Sequence, residues 1–198
     1  MTQLTSARNG SVDARSIVVL DEMLPAGEVA ALAAALEDGR FKRTEYARPD
    51  TIDHRHWVIE PISPETEAPS LGVVTKQAVE QFFGEGYEPF RFYCNVALYG
   101  DMLMTHTDCR DEQDDIVTAL WYITRQWNVE WGGETVFFDK NDDAVFCVSP
   151  KPGRLTVFHG AIKHAGRPPN RVCYAPRFTL ALKFVRPPAP DRGVACRH

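Results

Sequence analysis

Nowhere does the chain hold an apolar run approaching the roughly 18 residues that a membrane-spanning helix needs. Its opening stretch, MTQLTSARNG, also lacks the apolar segment of a secretory leader. Cysteine is sparse and unpatterned: Cys94, Cys109, Cys147, Cys173 and Cys196 are odd in number and never form a CxxC pair. That speaks against a disulfide framework or a zinc knuckle and for reduced thiols in a cytoplasm. Positive charge is in deficit, with 22 Lys and Arg against 27 Asp and Glu. A net charge of -5 argues against general attraction to nucleic acid or to an anionic membrane surface. Internal repeats and long low-complexity runs are missing as well. What remains is ordinary globular composition, 44% hydrophobic and 25% charged over 198 residues. It is enough for one domain with a substantial core.

The expected organisation has three parts. Residues 1–15 are polar and expected to be a flexible N-terminus, residues 16–186 form a single domain, and residues 187–198, opening on Pro187-Pro188-Ala189-Pro190, form a tail. Ile17–Leu20 reads as a short strand. Pro25 then opens a helix through the Ala/Leu-rich Val29–Leu36, with Gly39 placed to stop it. A second helix is expected at about Val73–Phe83. From Arg91 the pattern turns to short β-rich runs: Arg91–Tyr99, Met102–His106, Val117–Thr124, Glu134–Phe138, Ala144–Val148, Arg154–Phe158, Lys163–Gly166 and Arg177–Val185. The fold class is therefore α+β: a jelly-roll or cupin-like double-stranded β-helix over about 91–186, buttressed by N-terminal helices.

His106-Thr107-Asp108 carries the chemistry. Residues at i and i+2 of an extended segment share a face, so both side chains reach one metal ion. A second histidine, from His159 or His164, completes two imidazoles and one carboxylate. That set caps one face of an octahedron and suits non-haem Fe(II). The acidic run Asp111-Glu112-Gln113-Asp114-Asp115 lacks the ligand spacing and glycine of an EF-hand and reads as solvated. His54 and His56 read as a surface or lid pair, and Cys109 as a packing residue.

Taken in order, Tyr99-Gly100, His106-x-Asp108, Ala119-Leu120-Trp121-Tyr122-Ile123, Gly132-Gly133-Glu134-Thr135, Phe158, His164 and Arg177-Phe178-Thr179-Leu180 resemble the Fe(II)/2-oxoglutarate-dependent oxygenases, in their prolyl-4-hydroxylase-like branch. The resemblance spans about residues 91–186 and is echoed weakly at Leu20–Leu36. It implies that His106, Asp108 and His164 are iron ligands and that Arg177 pairs with the distal carboxylate of 2-oxoglutarate. A guanidinium fork suits that task because it binds a carboxylate bidentately and stays charged. Thr179 would add a hydroxyl on the Arg177 face. Tyr99 and Tyr122 match tyrosines that bond this carboxylate or line its pocket, and Asn95 is a candidate supporting polar group. One departure stands out. Arg177 follows His164 by thirteen positions, further than in many relatives, which leaves Arg171 as a rival anchor. Lys183, on the same strand face, either reaches the pocket mouth or faces solvent.

The implied reaction is oxidative decarboxylation of 2-oxoglutarate by O2 on Fe(II), with ascorbate as a possible reductant, coupled to hydroxylation of an unactivated C–H bond. The expected substrate is a small molecule or amino acid, with a protein or peptide prolyl side chain as the alternative. Recognition is expected from about Thr44–Ile62 and the Cys109–Asp115 loop, where Arg43, Arg48, Arg55 and His56 stand ready for an anion. Two other classes compete: a non-catalytic cupin-like 2-oxo-acid or metal sensor, and a zinc hydrolase with the same ligand set.

Overall fold

The computed structural model describes residues 4–5, 7–60, 69–109 and 115–187. Its elements run β1 (Arg8–Val12), β2 (Arg15–Leu20), α1 (Ala26–Glu37), β3 (Lys42–Glu45), β4 (His56–Ile59), α2 (Pro69–Phe83), β5 (Glu88–Ala97) and β6 (Ile116–Ile123). There follow β7 (Thr135–Phe138), β8 (Ala144–Val148), β9 (Arg154–His159), β10 (Lys163–Gly166) and β11 (Arg177–Val185). Among the described residues these strands form two antiparallel sheets. The larger has the order β1-β2-β9-β6-β11-β5-β4-β3 and the smaller β10-β7-β8. From β6 onward the chain crosses back and forth between the sheets, as a double-stranded β-helix requires.

Period-two alternation decides what each face of the large sheet meets. On β11, Phe178, Leu180, Leu182 and Phe184 pack into the core under α1 and α2, together with Val29, Leu36, Leu71 and Val79. The opposite face of β11, Arg177, Thr179, Ala181 and Lys183, lines a cavity between the sheets. On β6, Trp121 faces the helices and donates its indole N–H to Thr75 Oγ1 at 2.8 Å, tying α2 down through a buried hydrogen bond. Tyr122 faces the other way, into a second core with Phe137, Val148 and Phe158. Each fully buried Leu or Phe here contributes about 1.5–3 kcal/mol. The second core joins the two sheets, and the cavity lies beside it.

Two expectations are corrected. The polar stretch before residue 16 is not all frayed, because β1 pairs residue for residue with β2 from Arg8↔Val19 to Val12↔Arg15. Met102–His106 is no strand. Among the described residues the segment makes a single bridge, His106↔His164, because Asp101 closes a turn by accepting from the Leu98 N–H at 2.7 Å. The expected tail falls almost wholly outside the described residues.

Candidate metal and 2-oxo-acid site

The one bridge made by the His106 segment matters most. His106 N–H donates to His164 O at 3.0 Å and His164 N–H to His106 O at 2.9 Å. Residues exchanging both bonds sit directly opposite with their side chains on one side of the pair. The two imidazoles consequently lie 4.4 Å apart, centroid to centroid. A further bond, Asp108 N–H to Gly160 O at 2.7 Å, swings the carboxylate in beneath them. Asp108 Oδ1 is 3.6 Å from His106 Nε2, and Oδ2 is 3.9 Å from His164 Nε2. Ligand atoms of His106, Asp108 and His164 all fall within 4.8 Å of one another.

The donor set fits a metal in its details. His106 Nδ1 lies 3.1 Å from Met104 O and His164 Nδ1 lies 2.9 Å from Ile162 O. A carbonyl only accepts, so each Nδ1 carries the proton and each Nε2 presents a lone pair to the shared point. Burial, reinforced by the neighbouring His106, pulls the His164 pKa down to about 4, so this ring is neutral at pH 7. Asp108 is buried, which opposes its charge, but Lys183 and the two imidazoles outweigh burial and hold it below the ordinary carboxylate range. Thr118 Oγ1 donates to Asp108 Oδ2 at 2.5 Å, and Lys183 Nζ donates to Oδ1 at 2.7 Å. His159 stands apart: its Nε2 is 3.8 Å from Asp115, and its Nδ1 accepts from Ala161 N–H.

Across the cavity, whose volume is about 220 Å³, lies Arg177. It is fully buried, with Nε donating to Gly133 O at 2.5 Å and one terminal nitrogen to Thr135 Oγ1 at 3.0 Å. One anchor is the glycine turn and the other opens β7 just after it. Gly132 and Gly133 have φ of 66° and 80°, which only glycine adopts without strain. A Cβ on Gly133 would also stand 2.9 Å from the Trp127 ring and 3.2 Å from Arg177 Cδ. Thr179 and Asn95, register partners on β11 and β5, form the cavity wall, and Asn95 Oδ1 is buried without a partner.

Two tyrosines are placed differently from expectation. Tyr99 is 64% exposed, beyond the end of β5 and outside the cavity lining, because the turn at Asp101 breaks the alternation that would have put it beside Asn95. Tyr122 lies under the guanidinium, whose carbon is 5.5 Å from the ring centre, and donates to Thr135 Oγ1 at 2.7 Å. It props Arg177 and does not itself line the cavity. Arg171 is exposed and away from the cavity. Of the arginines expected to meet an anion, Arg43 and Arg55 bond backbone carbonyls and Arg48 pairs with Asp50, so only His56 reaches the cavity. The Cys109–Asp115 loop lies mostly outside the described residues. Sequence reasoning missed Tyr93, Glu45 and Arg91, which line the cavity. Tyr93 was recoverable from strand parity with Asn95; the Glu45–Arg91 pair, at 2.9 Å across 46 residues, was not.

A two-sheet β-helix with two imidazoles and a carboxylate at its open end is the scaffold of a non-haem iron oxygenase. Residues 94–184 match the family model of the 2OG-Fe(II) oxygenase superfamily, and the chain carries a dioxygenase domain of that kind, whose cofactor set is Fe(II), 2-oxoglutarate and O2. Among solved structures it resembles a prolyl hydroxylase from Trichoplax adhaerens in complex with a hypoxia-inducible-factor peptide fragment. That likeness has TM-score 0.66 at 16% identity, covering 86% of this chain and 83% of the other. It also resembles a Pseudomonas putida prolyl-4-hydroxylase, with TM-score 0.63 and 22% identity over 87% and 93% of the two chains. A third likeness is SnoK, a carbocyclase from nogalamycin biosynthesis, with TM-score 0.65 and 15% identity over 93% and 87%. No curated protein matches the chain in sequence. No helix among the described residues is long and apolar enough to cross a membrane.

Proposed function

We propose that this domain hydroxylates an unactivated C–H bond of a small molecule, with His106, Asp108 and His164 holding Fe(II) and Arg177 anchoring 2-oxoglutarate. The observation that carries the reading is the convergence of two lone-pair-bearing Nε2 atoms and the Asp108 carboxylate across one cavity from a buried guanidinium. Iron with its 2-oxo acid supplies the O2 activation and the oxidising power. The chain supplies position. Thr118 fixes the rotation of Asp108, the Met104 and Ile162 carbonyls fix both imidazole tautomers, and Gly133 and Thr135 aim Arg177. Thr179 and Asn95 offer a hydroxyl and an amide to the cosubstrate, and Phe158 and Leu120 help keep the cavity dry. The volume, about 220 Å³, lies below the ~300 Å³ at which pockets for drug-sized ligands begin, in keeping with a small substrate.

A prolyl side chain within a peptide is the second reading, favoured by exposed Leu98, Tyr99 and Met102 on the segment leading to His106. The deciding assay is succinate release from 2-oxoglutarate under Fe(II) and ascorbate. Succinate formed with Fe(II) and not with Zn(II) supports the oxygenase; no turnover with small-molecule or peptide substrates leaves a binding module, and substrate hydrolysis on Zn(II) without 2-oxoglutarate means a hydrolase.

A further inference from the structure

Among the described residues that line the cavity, Lys183 is the cation whose partner the proposed reaction takes away. Its ammonium reaches back from the end of β11 to Asp108 Oδ1 at 2.7 Å, its side chain is only 12% exposed, and it stands 5.5 Å from the Tyr93 ring centre. Arg177 lies six residues earlier on the same face, roughly 20 Å along the strand, so the two cations serve different parts of the cavity. The third cation, Arg91, is already matched by Glu45 and Glu60, each at 2.9 Å.

With a divalent ion and 2-oxoglutarate in place, the metal and Arg177 together balance the Asp108 carboxylate and the two carboxylates of the keto acid. Asp108 is then committed to the metal, and no other carboxylate among the described residues pairs directly with the Lys183 ammonium. A buried ion left so costs several kcal/mol. Holding Asp108 does not by itself require an ammonium, since the Thr118 hydroxyl already holds Oδ2 at 2.5 Å.

We infer that Lys183 receives the carboxylate of the substrate, which makes the substrate a small carboxylic acid, its reacting C–H close to the acid group. The inference rests on the oxygenase reading above and sharpens it. A prolyl side chain inside a peptide brings no anion, so it would leave Lys183 unmatched.

The test uses full-length protein and a panel of L-amino acids and short aliphatic acids, each beside its carboxamide. Succinate formation is followed with Fe(II) and 2-oxoglutarate. Melting temperature is followed separately with Mn(II) in place of Fe(II), which reads binding without turnover. The expected result is at least one acid that stimulates and stabilises about tenfold more effectively than its carboxamide, the scale of one charge-assisted hydrogen bond. That acid-over-carboxamide ratio falls to about one in Lys183→Met and is retained in Lys183→Arg. The inference is overturned if the stimulating compounds are neutral or cationic, or if the preference survives in Lys183→Met. It is equally overturned if native protein makes succinate slowly on its own and no acid accelerates it. Native protein that makes no succinate at all sinks the oxygenase reading instead, and this inference with it.

Discussion

Replacing Arg177 by Met separates the cost of a buried cation from its use. Without cosubstrate the guanidinium is fully buried and makes no ion pair among the described residues; its bonds go to Gly133 O and Thr135 Oγ1. Burial lowers its pKa, the mark of a charge held at a cost. Removing it relieves a desolvation penalty of several kcal/mol. It also strips two buried acceptors of a donor, at about 1–3 kcal/mol each. These nearly cancel, so cosubstrate-free Arg177→Met should match the native stability to within about 2 kcal/mol. With 2-oxoglutarate the balance is one-sided. Losing two hydrogen bonds to a charged group, at about 1.5–3 kcal/mol each, removes about 3–6 kcal/mol of binding. The dissociation constant should rise about 10²- to 10⁴-fold. Native protein at 100 times its dissociation constant gains about 2.7 kcal/mol, a rise of about 5–10 °C in melting temperature for a domain of this size. The variant should gain about 0.4 kcal/mol at most. Anaerobic calorimetry and thermal melts with Mn(II) read both quantities, with exposed Arg171→Met as the control expected to behave as native. An Arg177→Met affinity within about tenfold of native, or a loss that appears in Arg171→Met instead, would refute the assignment.

Other expectations follow from the same geometry. Asp108→Ala and His164→Ala should abolish Mn(II) binding in calorimetry, whereas His159→Ala should bind within about threefold of native; a dead His159 variant would move the third ligand. Gly133→Ala forces a side chain to φ near 80° and against Trp127 and Arg177. It should cost about 1–3 kcal/mol in urea unfolding and raise the KM for 2-oxoglutarate, and an unchanged KM would show that the turn does not aim the guanidinium. The metal-free protein should weaken on mild acidification. Burial holds His164 near pKa 4, against 6.5 for an ordinary imidazole, so between these values the unfolded chain takes up a proton that the folded one refuses. The contribution is full above about pH 6.5 and is lost as pH falls toward 4, about 3 kcal/mol in all. Urea midpoints of native and His164→Asn protein should converge over that range; parallel slopes would discount the burial of this ring.

Local sequence determined a good deal of this molecule, and the reason is periodicity. Alternation along Arg177–Val185 sorted one face for the helices and one for the cavity, and i, i+2 geometry put His106 and Asp108 together before any contact was known. Pro25 and Gly39 made α1 legible, whereas α2 begins at Pro69, four residues before the expected Val73. Tertiary structure decided every choice between residues alike in local sequence. His159 and His164 sit five positions apart in similar surroundings; the bridge His106↔His164 brings the second beside His106 and Asp108. Arg171 and Arg177 are separated by which of them starts a strand paired to β5. Tyr99 fell away because a side-chain turn at Asp101 ended β5 two residues early, whereas Tyr93, on the same strand face as Asn95, lines the cavity. The partners of Lys183 and Arg91 were invisible because ion pairs and hydrogen bonds across 75 and 46 residues depend on sheet order, which no local pattern encodes.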